Sequence, residues 1–536
     1  MTMKLTFIGA DHEVTGSCHC LQAAGKTILI DYGMEQGRNI FENAPLPVAP
    51  ALIDYVLLTH AHVDHSGMLP ELYAKGFRGE IYATEATCDL CEIMLRDCAH
   101  IQMQEADWYK RKRRRSSSVS QVEPLYVMED AEGALGRFEP CDYGKIYDIC
   151  DGISIRFTDI GHLLGSASIE VWITEKGQKR KIVFSGDIGN TRQPLIRDPQ
   201  LTDSADYVVM ESTYGDRLHS TERPDYVRAL TEVLDRTFAR GGNVVIPSFA
   251  VGRTQEMLYF LRQIKAQHLV TAVDDFEVYV DSPMAVSTTD IFADHEYACY
   301  DEEALDFVRN GINPITFPGL RLSITQEESV AINFDEAPKV IISASGMCEA
   351  GRIRHHLKHN LWREDSTILF VGYQAVGTLG RAIIEGATSV KLFGEEIDVK
   401  AEIAKIEGLS GHADRDGLMN WLKGFTRQKP RKIFIVHGED SVTSSFAAYV
   451  HEELGYDTYA PYSGTEFDLV SGQFIKEGVP VMVQKKTADV VSDVYQRLIN
   501  AGNRLVAVIQ KVSGLSNKDK AKFADQINSL CDKYDR

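Results

Sequence analysis

The sequence predicts an α/β protein in two parts, one inserted into the other, and three observations predict it. Five apolar runs that read as strands each end in a carboxylate or an imidazole: Asp31, His60, Asp187, Glu211 and His437. Between residues 217 and 403, strand, loop and helix units follow one another in series, the pattern of a parallel sheet. His437 comes after that series, so the second part lies within the first.

The chain opens with paired strands. Lys4 to Ile8 alternates and stops at Gly9; residues 18–23 (CHCLQA) and 27–30 (TILI) follow, with Gly25-Lys26 as the hairpin turn. Cys18 and Cys20 share one face of a strand, which reads as core packing. Asp31 closes the third run, at the carboxyl end where layered folds place chemistry. Residues 54–70 (DYVLLTHAHVDHSGMLP) then bring a buried strand and, directly after Thr59, the donors His60, His62, Asp64 and His65. Imidazole and carboxylate are the ligands a borderline-soft dication such as zinc prefers. His60 and His62 are two apart, as on one side of an extended segment, while Asp64 and His65 follow a turn and face a second ion beside the first. Cys88 and Cys91 form an isolated CxxC in a helix expected over 85–99, and so read as buried helix cysteines. Lys110 to Arg115 are six consecutive basic residues next to Trp108 and Tyr109, either a solvated helix end or a contact to a phosphate backbone.

Strand patterning returns at 153–173, interrupted by DIGHLLGS at 159–166, which contains His162. Residues 181–189 (KIVFSGDIG) repeat the form of the first site, with Asp187 between glycines, and Tyr207 to Met210 leads into ESTYG at 211–215. In the inserted part, 225–240 is an amphipathic helix and 243–247 a buried strand. Strands at 277–281, 340–343 and 367–371 follow, each ending in a loop that opens a helix. A last buried run, 432–436, leads to His437-Gly438-Glu439. Residues 488–511 and 516–533 read as helices. The expected organisation is therefore 1–216 for the first part, 217–403 for the insertion, 404–465 for the return, and 466–536 for a mostly helical C-terminal extension.

The totals limit the function classes. The 536 residues are enough for two or more cores, and a 44% hydrophobic share is that of a globular protein. No apolar stretch reaches the length of a membrane span, so no membrane partner is expected. The N-terminus reads as a first strand, and ten scattered cysteines suit reduced thiols, which together point to the cytoplasm. A net charge of −20 opposes non-specific nucleic-acid binding over the whole surface, so any polyanion must be held locally.

These residues resemble the metallo-β-lactamase-fold nucleases that carry an inserted β-CASP domain, a group that includes the pre-mRNA 3′-end cleavage endonuclease, its bacterial and archaeal relatives, and ribonuclease J. HAHVDH at 60–65 matches the signature loop, Asp31 the first fold motif, His162 the third and Asp187 the fourth. Glu211 in ESTYG matches β-CASP motif A, His412 in LSGHAD motif B, and His437 in VHGE motif C. PSFAVGRTQE, VDSPMA and ASGMCEAGRIRHH are also similar to β-CASP segments. The resemblance covers residues 4 to about 465. It implies an αββα metallo-β-lactamase sandwich with a parallel-sheet β-CASP domain inserted.

The resemblance further implies two Zn2+ per chain, with Mn2+ the lesser alternative. His60, His62 and His162 would hold one ion; Asp64, His65 and His437 the other; Asp187 would bridge. Asp64 would help orient the attacking water, His412 would be the general acid, and Glu211 would fix a ligand histidine, that of motif C being the nearest candidate. Asp31 would support the ligands from behind. On the residues alone, Glu211 also reads as a helix cap and His412 as a neighbour of an N-cap. Ser248, Arg253, Ser345, Gly346, Arg352, His355 and His356, on strand-to-helix loops, are expected to hold RNA phosphates, although Arg352 equally suits a salt bridge to Glu349 or Asp365. The leading function is a zinc-dependent ribonuclease on single-stranded RNA, endonucleolytic action favoured and 5′-exonucleolytic action open, in a monomer or homodimer. A small-molecule hydrolase on the same fold (lactam, thioester or cyclic phosphodiester) and a non-catalytic RNA-binding scaffold are the alternatives.

Overall fold

The computed structural model describes residues 3–37, 39–113, 123–219, 224–375, 377–483 and 516–534, with scattered positions between 498 and 509. Two sheets face each other. The first has eight strands in the order Gln473–Lys476, Glu466–Asp468, Lys4–Gly9, Cys18–Ala23, Lys26–Ile30, Tyr55–Leu57, Glu80–Thr84 and Phe138–Cys141. The second has seven: Thr458–Tyr459, Lys432–Ile435, Tyr207–Met210, Gln178–Phe184, Ala167–Glu175, Ile153–Asp159 and Ile146–Cys150. Period-two alternation explains the pairing of their faces. Leu5 and Phe7 from the first sheet meet Ile153, Ile155, Phe157 and Phe184 from the second in one apolar core, while Ile8 turns outward into the core under the helices. Helices cover both outer faces: Glu85–Arg113 over the first sheet, Arg415–Leu422 and Asp440–Leu454 over the second. The architecture is the expected αββα sandwich.

A third sheet, all parallel, runs Leu320–Ser323, Glu277–Asp281, Lys339–Ser343, Val244–Pro247, Thr367–Phe370 and Glu402–Lys405. Its strands lie in sequence between Tyr207–Met210 and Lys432–Ile435, which are themselves adjacent and parallel in the second sheet. The α/β insertion is thus placed between two neighbouring strands whose carboxyl ends carry Glu211 and His437. The third sheet extends to Lys405, so the inserted strands run past residue 403. Its helices start well: Asp225 accepts from Arg228 N at 2.9 Å to cap Tyr226–Phe238, and Ser282 caps Pro283–Asp294.

Two expectations are altered. The helix that starts at Glu85 continues to Arg113; its second half is solvent-facing, with Ile101 and Met103 exposed, and so carries no apolar periodicity to read. The segment after residue 465 begins with strands: Glu466–Asp468 pairs with Lys4–Thr6, and Gln473–Lys476 pairs with it in turn. Strands of three and four residues leave little pattern in a sequence. Asn517–Tyr534 is the expected terminal helix. Lys110 to Arg113 form the last turn of the long helix, whereas Arg114, Arg115 and most of 488–511 lie outside the described residues.

Candidate metal centre

The carboxyl ends of strands from both sheets meet at one point. Lys26–Ile30 delivers Asp31, Tyr55–Leu57 delivers the loop 58–65, and Gln178–Phe184 delivers Asp187. Tyr207–Met210 delivers Glu211 and Lys432–Ile435 delivers His437. His162 arrives on the turn after Ile153–Asp159. Asp31, His162 and His437 adopt left-handed backbone, with φ of 59°, 66° and 51°. All three are buried.

Two sets of donors face each other across Asp187. In the first, His62 Nδ1 lies 3.1 Å from both His60 Nε2 and His162 Nε2, and Asp187 Oδ2 lies 3.5 Å and 3.4 Å from the same two Nε2 atoms. In the second, His65 Nε2 is 3.0 Å from His437 Nε2, and His437 Nε2 is 3.7 Å from Asp64 Oδ2. Asp187 Oδ1 is 3.3 Å and 3.6 Å from the two rings. Tetrahedral zinc with bonds near 2.0–2.1 Å separates its ligand atoms by about 3.3 Å, and both sets cluster around that value.

The proton inventory also fits cations. Asp31 Oδ2 accepts a hydrogen bond from His65 Nδ1 at 2.7 Å, which makes Nε2 the ring atom turned toward the centre. That nitrogen faces the His437 Nε2 at 3.0 Å, a close pairing that a shared proton or a cation beside the two nitrogens stabilises. Burial holds His60, His62 and His162 below the ordinary imidazole range, in the neutral form that ligates. Burial works against the charge of Asp187, but His437, His65 and His60 hold it ionised, well below the usual carboxylate range. Desolvation works against the charge of the part-exposed Asp64 as well, but His437 and His65 hold it at about 2. In His65 and His437 burial is outweighed by the facing carboxylates, and both are pushed up. An acidic pocket that draws positive charge onto two imidazoles is a pocket suited to divalent metal.

Groups behind the donors fix them. Asp31 accepts from Thr59 N at 2.8 Å and from Thr59 Oγ1 at 2.9 Å, and Thr59 Oγ1 lies 3.1 Å from His60 Nδ1. Thr213 Oγ1 lies 3.2 Å from His437 Nδ1. Sequence reasoning passed over Thr59 and Thr213, because a lone hydroxyl beside a motif carries no spacing signal. Glu211 accepts from Ile188 N at 2.6 Å, and its Oε1 is 3.2 Å from His412 Nδ1. Its histidine is therefore His412, in place of the expected motif C residue. The ring of His412 stands 4.5 Å from that of His162, with Nε2 3.9 Å from Asp187 Oδ2. Burial disfavours its charge, but Glu211 and Asp187 push it up to about 9.

The residues expected to hold phosphates divide sharply. Arg352 donates to Asp281 Oδ1 at 2.7 Å and to the Ile324 carbonyl at 2.6 Å, so its salt bridge is to Asp281 and not to Glu349 or Asp365. His356 is fully buried, with Nε2 2.6 Å from Asp281 Oδ2 and Nδ1 2.9 Å from Asn333 Oδ1. Arg253 is bonded to Glu256 and to the Leu409 carbonyl. Ser248 is buried, its hydroxyl bonded to the Phe249 carbonyl and approached by Thr254. These four are engaged inside the protein. Ser345, at the loop after Lys339–Ser343, is partly exposed; Gly346 beside it is buried, and His355 is exposed and stacked on Phe393.

Comparison with known proteins places these observations. Residues 13–248 match the Metallo-beta-lactamase superfamily, 254–383 the Beta-Casp domain, and 396–461 a Zn-dependent metallo-hydrolase RNA specificity domain. Ribonuclease TTHA0252 of Thermus thermophilus is 39% identical over 439 residues, which are 82% of this chain and 94% of that protein. Transcription termination factor FttA of Thermococcus kodakarensis is 31% identical over 481 residues, 86% of this chain and 70% of that one. An RNase J-like protein of Methanocaldococcus jannaschii is 31% identical over 470 residues, 86% of this chain and 98% of that one. Among the described residues, no helix is long and apolar enough to cross a membrane.

Proposed function

The chain belongs to the β-CASP family of metallo-β-lactamase-fold nucleases, a premise from which we propose that it is a two-zinc ribonuclease cutting single-stranded RNA internally. It is a metal-dependent hydrolase acting on RNA; the cation count, the internal mode and the residue roles are the proposal. One observation carries it: the two oxygens of Asp187 face two separate sets of donors, His60, His62 and His162 on one side, Asp64, His65 and His437 on the other.

Two dications held there would neutralise the phosphodiester charge and supply a nucleophile from water near neutral pH. The protein's own groups do the rest. Asp187, bridging, sets the spacing of the two sets. Asp64, held ionised, accepts a hydrogen bond from the attacking water and aims it. Glu211 fixes His412 Nδ1 so that Nε2 points at the centre, and its carboxylate favours the protonated ring. A charged imidazole there protonates the departing oxygen, which leaves a 3′-hydroxyl on one product and a 5′-phosphate on the other. Asp31 and Thr59 hold His65 and His60 in their tautomers.

The test is cleavage of end-labelled linear RNA and of circular RNA of the same sequence, with zinc, with chelator, and with zinc restored. Chelator-sensitive opening of the circle is expected. Degradation of linear 5′-monophosphate RNA alone would replace the internal mode by a 5′-exonuclease. A zinc-loaded protein that cuts neither RNA but hydrolyses a lactam or thioester would sink the ribonuclease reading.

A further inference from the structure

The inserted sheet presents, on the loops at its carboxyl edge, two exposed aromatic side chains that the mechanism leaves unused. Phe249 follows the strand Val244–Pro247 and is 45% exposed; Tyr373 follows Thr367–Phe370 and is 60% exposed. The two strands are neighbours in the parallel sheet, and Lys339–Ser343 flanks the first on its other side. The loop after that third strand brings Gly346 against Phe249.

A buried scaffold holds both. A side chain at Gly346 would come within 3.0–3.1 Å of the Phe249 ring, so the absence of a Cβ lets the ring rest on backbone. The Gln374 amide, itself buried, donates to the Gly346 carbonyl at 2.8 Å and anchors the residue next to Tyr373. The Phe249 loop also reaches two loops that carry site residues. A Cβ at Gly252 would lie 3.2 Å from Leu163, next to His162, and Arg253 bonds the Leu409 carbonyl, three residues before His412.

Scattered exposed apolar residues need no explanation. Two exposed aromatics on the loops that follow neighbouring strands, at the carboxyl edge of a parallel sheet, with the Phe249 loop reaching those that carry His162 and His412, call for one. Charge sharpens the point. With a net charge of −20, the surface as a whole repels RNA, and Arg253, Arg352 and His356 are engaged internally. An uncharged source of affinity suits such a surface, and aromatic stacking supplies one for any base.

We propose that Phe249 and Tyr373 form a stacking platform that grips unpaired bases of the RNA next to the scissile phosphate. This rests on the ribonuclease reading and adds the side chains that select single strands, since a base inside a duplex presents no free face.

The experiment is a walk of a single abasic nucleotide through a short single-stranded RNA, with kcat/KM measured for wild type, Phe249→Ala, Phe249→Leu and Tyr373→Ala at two salt concentrations. Wild type should lose roughly 5- to 150-fold when the abasic site falls at one or two positions beside the cut. Each alanine variant should lose a similar factor on intact RNA and nothing further at its own position, with zinc content and Tm unchanged. Phe249→Leu keeps the apolar bulk without the ring face and should behave as the alanine variant. The salt dependence should be shallow, because few phosphates are neutralised. A flat abasic walk on an RNA that is cleaved, or strictly additive losses, would overturn the platform. A steep salt dependence that persists in the variants would assign binding to cations instead. No cleavage of any RNA would overturn the ribonuclease reading and the platform with it.

Discussion

Asp31→Asn separates the two cation sites. The carboxylate receives three hydrogen bonds: Oδ1 from Thr59 N at 2.8 Å, Oδ2 from Thr59 Oγ1 at 2.9 Å, and Oδ2 from His65 Nδ1 at 2.7 Å. In the amide, the oxygen stays opposite Thr59 N, where an acceptor is needed. The NH2 then faces the Thr59 hydroxyl and His65 Nδ1, both donors in the native protein. His65 relieves the clash by moving its proton to Nε2, the atom that faces His437 and Asp187. A protonated Nε2 cannot ligate. Loss of such a support weakens metal binding by about 10- to 100-fold, or about 1.4–2.7 kcal/mol. His60 feels the change only through the Thr59 hydroxyl, and His62 and His162 have no contact with Asp31 in the hydrogen-bond network. Competition titration with a calibrated zinc chelator should therefore turn two tight sites into one tight and one weak site, with the fold intact by circular dichroism. Equal weakening of both sites, or of neither, would refute the division of donors around Asp187.

Other outcomes follow from the same geometry. His412→Asn should leave zinc content unchanged and lower the cleavage rate by about 10^2- to 10^4-fold, as expected for a lost general acid; a loss of zinc instead would make His412 a ligand. Arg352→Ala should lower stability by about 1–3 kcal/mol, because it strips a partner from the buried Asp281 carboxylate; thermal unfolding reads this, and an unchanged Tm with raised KM for RNA would restore the phosphate-binding role. Asp281 is buried, yet His356, Ser329 and Arg352 hold it at about 2, below its ordinary 3.8. A depressed carboxylate stabilises fully above its unfolded value and loses that contribution as pH falls. Wild type should lose about 2 kcal/mol between pH 4 and 2, a limb that Asp281→Asn should lack when Tm is followed against pH. Chelation of the bound metal should lower Tm, since a ligand held at a thousandfold excess over its Kd contributes about 4 kcal/mol; scanning calorimetry with and without chelator checks it.

The donors were legible because they follow strand ends, directly or within one loop, and strand ends of one layered fold converge whatever their distance in sequence. Their supports were not. Tyr207–Met210 pairs with Lys432–Ile435 so that Met210 lies opposite Ile435. Continuing that register sets Glu211 beside Val436, and His437, one residue on, points to the opposite face. Glu211 therefore reaches His412 from the next loop, a choice that depends on a single residue of register invisible in one sequence. Arg352 and His356 sat on a loop that looked free. Their partner Asp281 is 71 and 75 residues upstream, at the end of a strand that only the folded sheet brings next to Lys339–Ser343. A motif displays which groups gather, while hydrogen-bond ownership waits for register.

Asp31, His162 and His437 all occupy a conformation that residues with a Cβ resist, at about 1–2 kcal/mol apiece. Together this rivals a large share of the spare stability of an ordinary domain. Glycine would relax the chain at any of the three and erase the side chain that matters. At His162 or His437 the strain relieved is smaller than the stability that bound metal adds, so heat selection with zinc present should keep these codons, and only selection in chelator should let them drift to glycine and leave the protein inert.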